Sequence, residues 1–349
     1  MNKRIILVAV PVLVLGAAAA GWTYHYRGTP QYSLKQAANA VKAKDRAAFQ
    51  KYVAVDSVVS GAVDELLAKA LEETRKEAAA GDDGFAALGA ELAAGLIQGI
   101  KPMVVTELRN GIMEGVEQGD LGKAFEADSA TEDAGLDLAD AGAQPMEYAG
   151  MDVVSREGRT ARADLRLRRT DLDQTFPLRL RLAQRDGYWQ VMAVENVVEF
   201  SQAIDQAESR RLAEVNRPVL AELAKLARVD SLRGSHESDE WGFESRVTFA
   251  ARLTNTGPQP LQEVRVEAGE GADRIVLTHA GPVPPGQSVT VASSAERLRA
   301  THPIHSRVGR GRNVPLDAPM RLTSARVGGR VVAAHDDWAA YVERERPKQ

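Results

Sequence analysis

No cysteine occurs among the 349 residues. That absence excludes a lipidated-cysteine anchor, a disulfide framework and a thiolate metal site, and it is compatible with an oxidising compartment without requiring one. Aromatic residues make up only 5% of the chain, and none is interleaved with its basic stretches. A nucleic-acid surface, which uses aromatic faces between cations, is therefore not expected. No glycine-rich phosphate loop, dinucleotide fingerprint or nucleophile elbow occurs, and no internal repeat or low-complexity array. Ser33 and Ser288 stand in cap and turn contexts without an identifiable base. Serine hydrolysis has little support.

Long hydrophobic runs are also scarce, with one exception. Met1-Asn2-Lys3-Arg4 is followed by an apolar stretch from Ile5 to Tyr24, long enough at about 20 residues to span a bilayer. Lys3 and Arg4 place its N-terminal end in the cytoplasm, and Trp22, Tyr24 and Tyr26 fall where an interfacial aromatic belt belongs. The expectation is a single-pass anchor over residues 1–27 in a bacterial inner membrane, with the bulk of the chain in the periplasm. A cleaved secretion signal, with Ala18-Ala19-Ala20 as the small-residue site, is the rival reading. About 320 residues remain, enough for two domains.

The formal net charge is only −4, but it is unevenly spread. Asp64 to Glu157 is acidic, whereas Arg297 to Arg330 is almost purely basic, interrupted by Asp317. Such a face is usually solvated; as a functional surface it would meet an anionic lipid or polymer.

Helical periodicity dominates the region after Pro30. Ser33 is expected to cap a helix carrying Leu34, Ala37, Ala38 and Val41, and Asp45 to cap a second around Phe49. Asp56-Ser57 is expected to open a third, with Val59, Ala62, Val63 and Leu66 on one stripe. Phe85 to Ile100 is Ala- and Gly-rich, and Pro102 is expected in the first turn of a further helix. Gly119 to Ala143 is acidic and small, the pattern of an irregular exposed connection.

From Met151 the period becomes two. Ala161, Ala163, Leu165 and Leu167 alternate with Arg162, Asp164, Arg166 and Arg168, and Leu178, Leu180 and Leu182 with Arg179 and Arg181, which predicts a half-buried antiparallel sheet. Asp186-Gly187 is a hairpin turn that sets Trp189, Val191 and Ala193 on one face of the last strand. Phe200 to Val215 reads as a helix, and Asn216-Arg217-Pro218 as the start of another ending near Arg228. Beyond it, short alternating runs at Val247–Leu253, Leu261–Val266, Ile275–Leu277 and Val289–Val291, separated by Gly, Pro and Asn, predict a β-sandwich closed by a hairpin about Gly328-Gly329.

Three stretches carry a resemblance: "TPQYSLKQAANAVKAKDRAAFQKYV" from Thr29, "GFAALGAELAAGLIQGI" from Gly84, and "QRDGYWQV" from Gln184. In these the N-terminal half resembles the bacterial domain-of-unknown-function family 2939. The resemblance implies a membrane anchor, a helical region and a small sheet, and carries no catalytic residue across. Through "LTNTGPQPLQEVRV" and "VPPGQSVTV" the C-terminal part is similar to immunoglobulin-like modules of envelope proteins. Such likeness licenses architecture and not chemistry.

The expected organisation is thus α+β. An anchor (1–27) precedes a helical region packed cup-like on a small antiparallel sheet (28–228, with an acidic connection near 119–150), then an immunoglobulin-like β-sandwich domain with a short C-terminal helix (229–349). Four sets of residues compete for a functional role. His302 and His305 flank a proline, which predicts an extended exposed loop rather than the helical spacing of a zinc pair, and no third ligand is suitably placed. Glu195 and Asn196 follow the Trp189 strand at the mouth of the cup; acid chemistry there needs a second carboxylate or a His nearby, and a capping role is the simpler reading. Tyr188 and Trp189 read as core rather than ligand platform. Arg307, Arg310 and Arg312, around Gly309 and Gly311, read as a flexible basic loop able to touch anionic lipid or polymer. No catalytic residue, metal or cofactor is expected, and an envelope protein is the expected partner. A noncatalytic interaction or scaffold module leads, ligand or lipid binding in the apolar cup between Gly84–Ile100 and the Trp189 sheet stands second, and an envelope hydrolase third.

Overall fold

The computed structural model describes residues 29–80, 84–119, 146–238, 245–269, 274–297, 303–308 and 311–345. The proposed anchor, the connection from 120 onward, His302 and Arg310 lie outside them. The described chain divides into two compact units, one ending at Ser209 and the other spanning Arg210–Glu345.

The first unit opens with helix α1 (Pro30–Lys42), whose N-cap is Thr29 and not Ser33. Thr29 Oγ1 accepts from the Tyr32 amide at 3.2 Å, and Pro30 occupies the first helical position, where its missing N–H costs nothing. Ser33 instead points inward, 1% exposed, and its Oγ accepts from the Trp189 amide at 2.9 Å. Asp45 caps α2 (Arg46–Tyr52) as expected, accepting from the Ala48 amide. Val53 then makes a parallel bridge with Val191, which ties the helices to the sheet.

Helices α3 (Val55–Ala80) and α4 (Gly84–Gln118) follow. Asp64 pairs with Lys101 and Asp56 with Arg109, so numbers rise along one helix as they fall along the other, which is an antiparallel hairpin. Pro102 does not start a helix. It sits inside α4, where Thr106 Oγ1 donates to the Pro102 carbonyl. A single lost backbone bond is outweighed by the buried stripe of Leu108, Ile112, Met113 and Val116 that continues beyond it. Among the described residues no helix is long and apolar enough to cross a membrane.

Strands β1 (Met146–Glu157), β2 (Thr160–Arg169), β3 (Gln174–Arg185) and β4 (Tyr188–Val194) form an antiparallel meander in that order. The β2–β3 register runs unbroken from Thr160↔Ala183 to Arg169↔Gln174. One face therefore collects Ala161, Ala163, Leu165, Leu167, Leu178, Leu180, Leu182, Trp189 and Val191, all buried, and the alternate residues face solvent. Asp186 and Gly187 both take positive φ in the β3–β4 turn, the conformation this dipeptide adopts most readily.

Helix α5 (Val197–Leu226) begins in the first unit and ends in the second. It is one helix, with Pro218 inside it, and not two helices meeting at Asn216. Strand β5 (Ala227–Ser238) follows without a linker and pairs with β6 (Ser245–Asn255). The remaining strands are β7 (Leu261–Ala268), β8 (Ile275–His279), β9 (Ser288–Ala292), β10 (Glu296–Arg297), β11 (Val314–Pro315), β12 (Met320–Val327) and β13 (Arg330–Ala333). Their order is β11-β5-β6-β9-β8-β7-β12-β13, with β10 on β6. Strands β8 and β9 meet at a single residue pair, Thr278↔Ala292. Phe249, Leu253, Val266, Leu277, Val291 and Leu322 belong to one buried cluster.

The His-Pro-Ile-His stretch also departs from expectation. Helix α6 (Pro303–Val308) replaces an extended loop, and His305 is fully buried, its ring 5.3 Å from that of Phe249. Gly234 on β5 makes room for this helix, because a Cβ there would collide with Val308. The last described element is α7 (Trp338–Glu345). Asn216 holds the segment before α7 by donating to the His335 carbonyl and accepting from the His335 amide, at 2.9 and 2.8 Å.

Candidate functional site

The solvent face of the four-stranded sheet is where side chains with chemistry converge. Arg162, Arg166 and Arg168 project from β2 and Arg179 and Arg181 from β3, each with its side chain about half exposed. Every one meets a carboxylate: Arg162–Glu195 at 2.8 Å, Arg181–Glu195 at 3.7 Å, Arg179–Asp164 at 3.3 Å, Arg166–Asp152 at 3.3 Å and Arg168–Asp173 at 2.6 Å. Exposed pairs of this kind contribute about 0–1 kcal/mol each to stability. Their significance is positional. A guanidinium has five N–H donors in a rigid fork, and the bonds from Arg162 and Arg179 to these carboxylates run through Nε.

At one end of this face the sheet meets α3 across an open cleft of about 820 Å³. Arg162, Arg179 and Arg181 line it together with Glu157 and Glu195. Val154, Ala193 and Val194 supply an apolar part of the wall, and Val154 is 57% exposed, one of few large apolar side chains so open among the described residues. Gly61 of α3 forms the opposite side, and a Cβ added there would meet nothing within 4 Å.

Glu195, singled out from the sequence, is thus in the cleft and held between Arg162 and Arg181. Its neighbour Asn196 is a backbone clamp. Asn196 Oδ1 accepts from the Arg179 amide at 2.7 Å and Nδ2 donates to the Pro177 carbonyl at 3.0 Å. Trp189 lies on the other face of the sheet, fully buried, with the Arg156 guanidinium 5.0 Å from its ring centre. Tyr188 stacks edge-on against Tyr52, and Lys51 lies over both rings. In the second unit Arg307 is exposed and donates to the Asp317 carbonyl, and Arg312 is exposed; Arg310 lies outside the described residues.

Two ionisable groups beside the sheet were not singled out by sequence. Arg169 is 3% exposed and is held by both Asp171 oxygens, at 2.8 and 2.6 Å, and by Glu208 at 2.9 Å. Burial works to lower its pKa, but the bonds and charges of Asp171 and Glu208 prevail and raise it. Burial pushes the Tyr148 phenol up, with Arg166 pulling down and Asp152 adding to the rise. Among the described residues no group of three His, Asp or Glu side chains is placed to hold a metal ion.

The described residues therefore define an α+β protein in which helices precede antiparallel sheets. Residues 17–108 match the family model described as "Protein of unknown function (DUF2939)", a stretch that takes in α1 to α3 and most of α4. The match ends before the sheet, and of the residues that line the cleft it takes in Gly61 alone. No curated protein and no solved structure matches the chain.

Proposed function

We propose that the protein is a noncatalytic interaction module of a bacterial envelope, held at the inner membrane by Ile5–Tyr24 and exposed to the periplasm, whose binding surface is the arginine face of the four-stranded sheet. One observation carries this reading: five half-exposed guanidinium groups share one face, and each is oriented by a carboxylate that leaves donors over for a partner. Glu195 supports binding rather than turnover, since Arg162 and Arg181 orient a carboxylate but shuttle no proton at neutral pH. In the second unit, the single β8–β9 pair and the core shared by strands on both sides of it support an immunoglobulin-like sandwich of two layers. The expected partner is a protein presenting acidic side chains.

The test uses immobilised polyglutamate as the acidic probe. Wild-type protein is expected to be retained and to elute at a defined salt concentration, and Arg166→Gln with Arg168→Gln, two residues that do not line the cleft, to elute at lower salt. Identical elution of the two proteins would discard the face as a binding surface.

A further inference from the structure

The geometry points to the cleft between β4 and Gly61 as a site for a small amphipathic monoanion, a carboxylate or phosphate head carried on a short apolar body. The inference rests on reading the sheet's solvent face as a binding surface, but it uses different residues and makes a narrower claim.

The lining has two chemistries in one concave space. Arg179 is paired with Asp164, whereas Arg162 and Arg181 share the single carboxylate of Glu195, which leaves that pair of guanidinium groups with one positive charge more than its partner. A ligand with one negative charge completes that balance; a neutral sugar or a cation does not. The guanidinium forks select an oxyanion by shape as well as by charge, because two parallel N–H donors match two oxygens of a carboxylate or phosphate. Beside them Val154 stands exposed next to the buried Ala193 and Val194, and an apolar tail laid there would remove the Val154 surface from water. At about 820 Å³ the cleft lies within the range of small-molecule sites. Gly61 keeps its far side open, since an added side chain would extend into empty space.

Glu195 has a specific part in this arrangement. It pairs with Arg162 and Arg181, so it is an internal competitor for the groups that would hold the ligand's head. Removing its charge should therefore strengthen binding. A purely structural ion pair predicts no such gain.

The experiment is calorimetric titration of the full chain in phosphatidylcholine nanodiscs with hexanoate and with hexyl phosphate, against hexanol, inorganic phosphate and empty nanodiscs. Hexanoate or hexyl phosphate is expected to bind at least tenfold more tightly than hexanol or inorganic phosphate. The better of the two names the head group, fatty-acid-like or phospholipid-like. Arg162→Gln with Arg181→Gln should weaken binding tenfold or more, and Glu195→Gln should tighten it severalfold. Gly61→Leu should abolish binding while raising the helix propensity of α3, so loss of binding by that variant is not loss of the fold. The inference is overturned if neither amphiphile outbinds hexanol, if Gly61→Leu binds as wild type does, or if Glu195→Gln weakens binding. Polyglutamate retention of the wild-type protein keeps the two proposals apart: protein that is retained but binds neither amphiphile sinks the cleft alone, and protein that is not retained sinks the face.

Discussion

Replacing Trp189 by alanine is the most exacting probe of the first unit, because the ring joins the sheet to the helices and nothing of it reaches solvent. A tryptophan side chain buries roughly 200 Å², which at about 25 cal/mol per Å² corresponds to ~5 kcal/mol. Alanine keeps a small part of that, and the partial collapse of the site sets the rest, so the expected loss is about 3–5 kcal/mol. The backbone bond from Trp189 N to Ser33 Oγ survives the substitution, which leaves the loss attributable to the ring and to the Arg156 cation above it. Urea unfolding followed by far-UV circular dichroism is the suitable assay, because four tryptophans make fluorescence ambiguous. Val191→Ala should move the same transition in the same direction. Phe249→Ala, in the core of the second unit, serves as the control for a transition that Trp189→Ala leaves in place. A loss below about 1 kcal/mol at unchanged denaturant slope would refute the packing argument.

Asn216→Ala removes both bonds to His335 and is expected to cost about 1–3 kcal/mol; hydrogen exchange should show lost protection in Trp338–Glu345 before the rest of the unit, and uniform protection would contradict this. Arg169→Ala leaves Asp171 and Glu208 without their shared cation and should cost about 3–5 kcal/mol, more than Arg162→Ala on the exposed face; equal losses in thermal melts would count against the burial argument. The raised Tyr148 pKa means that the folded state resists ionisation of the phenol. Its stabilising contribution is complete below about pH 10 and is lost as pH rises through the folded-state value. Tyr148→Phe should accordingly show a smaller drop in Tm between pH 9 and pH 11 than wild type, and an undiminished drop would refute the assignment.

Much of the sheet was legible because one face is buried: the alternation of Leu178, Leu180 and Leu182 with Arg179 and Arg181 admits only one facing. Asp45 and Asp186-Gly187 were legible because caps and tight turns depend on one or two local residues. Pro102 and Pro218 misled for the opposite reason. Proline imposes a local penalty, while the continuity of a helix is decided by burial along its whole length. Strand β5 escaped notice because its alternation is broken: the register shifts between Asp230 and Arg233, and Ser231 takes a positive φ of 59°. The cleft was beyond local pattern altogether. Glu195 drew attention by its position after β4, but Arg162, Arg179 and Arg181 read only as a solvated face, and Gly61 is brought opposite them by the packing of α3 on β4.

The open space over Gly61 has a practical side. Since the native chain carries no thiol, Gly61→Cys would create a unique attachment point on a helix position where a new Cβ meets nothing. An environment-sensitive dye coupled there would itself fill the cleft and change its emission when a molecule displaces it, turning this corner of the structure into an optical sensor for screening extracts.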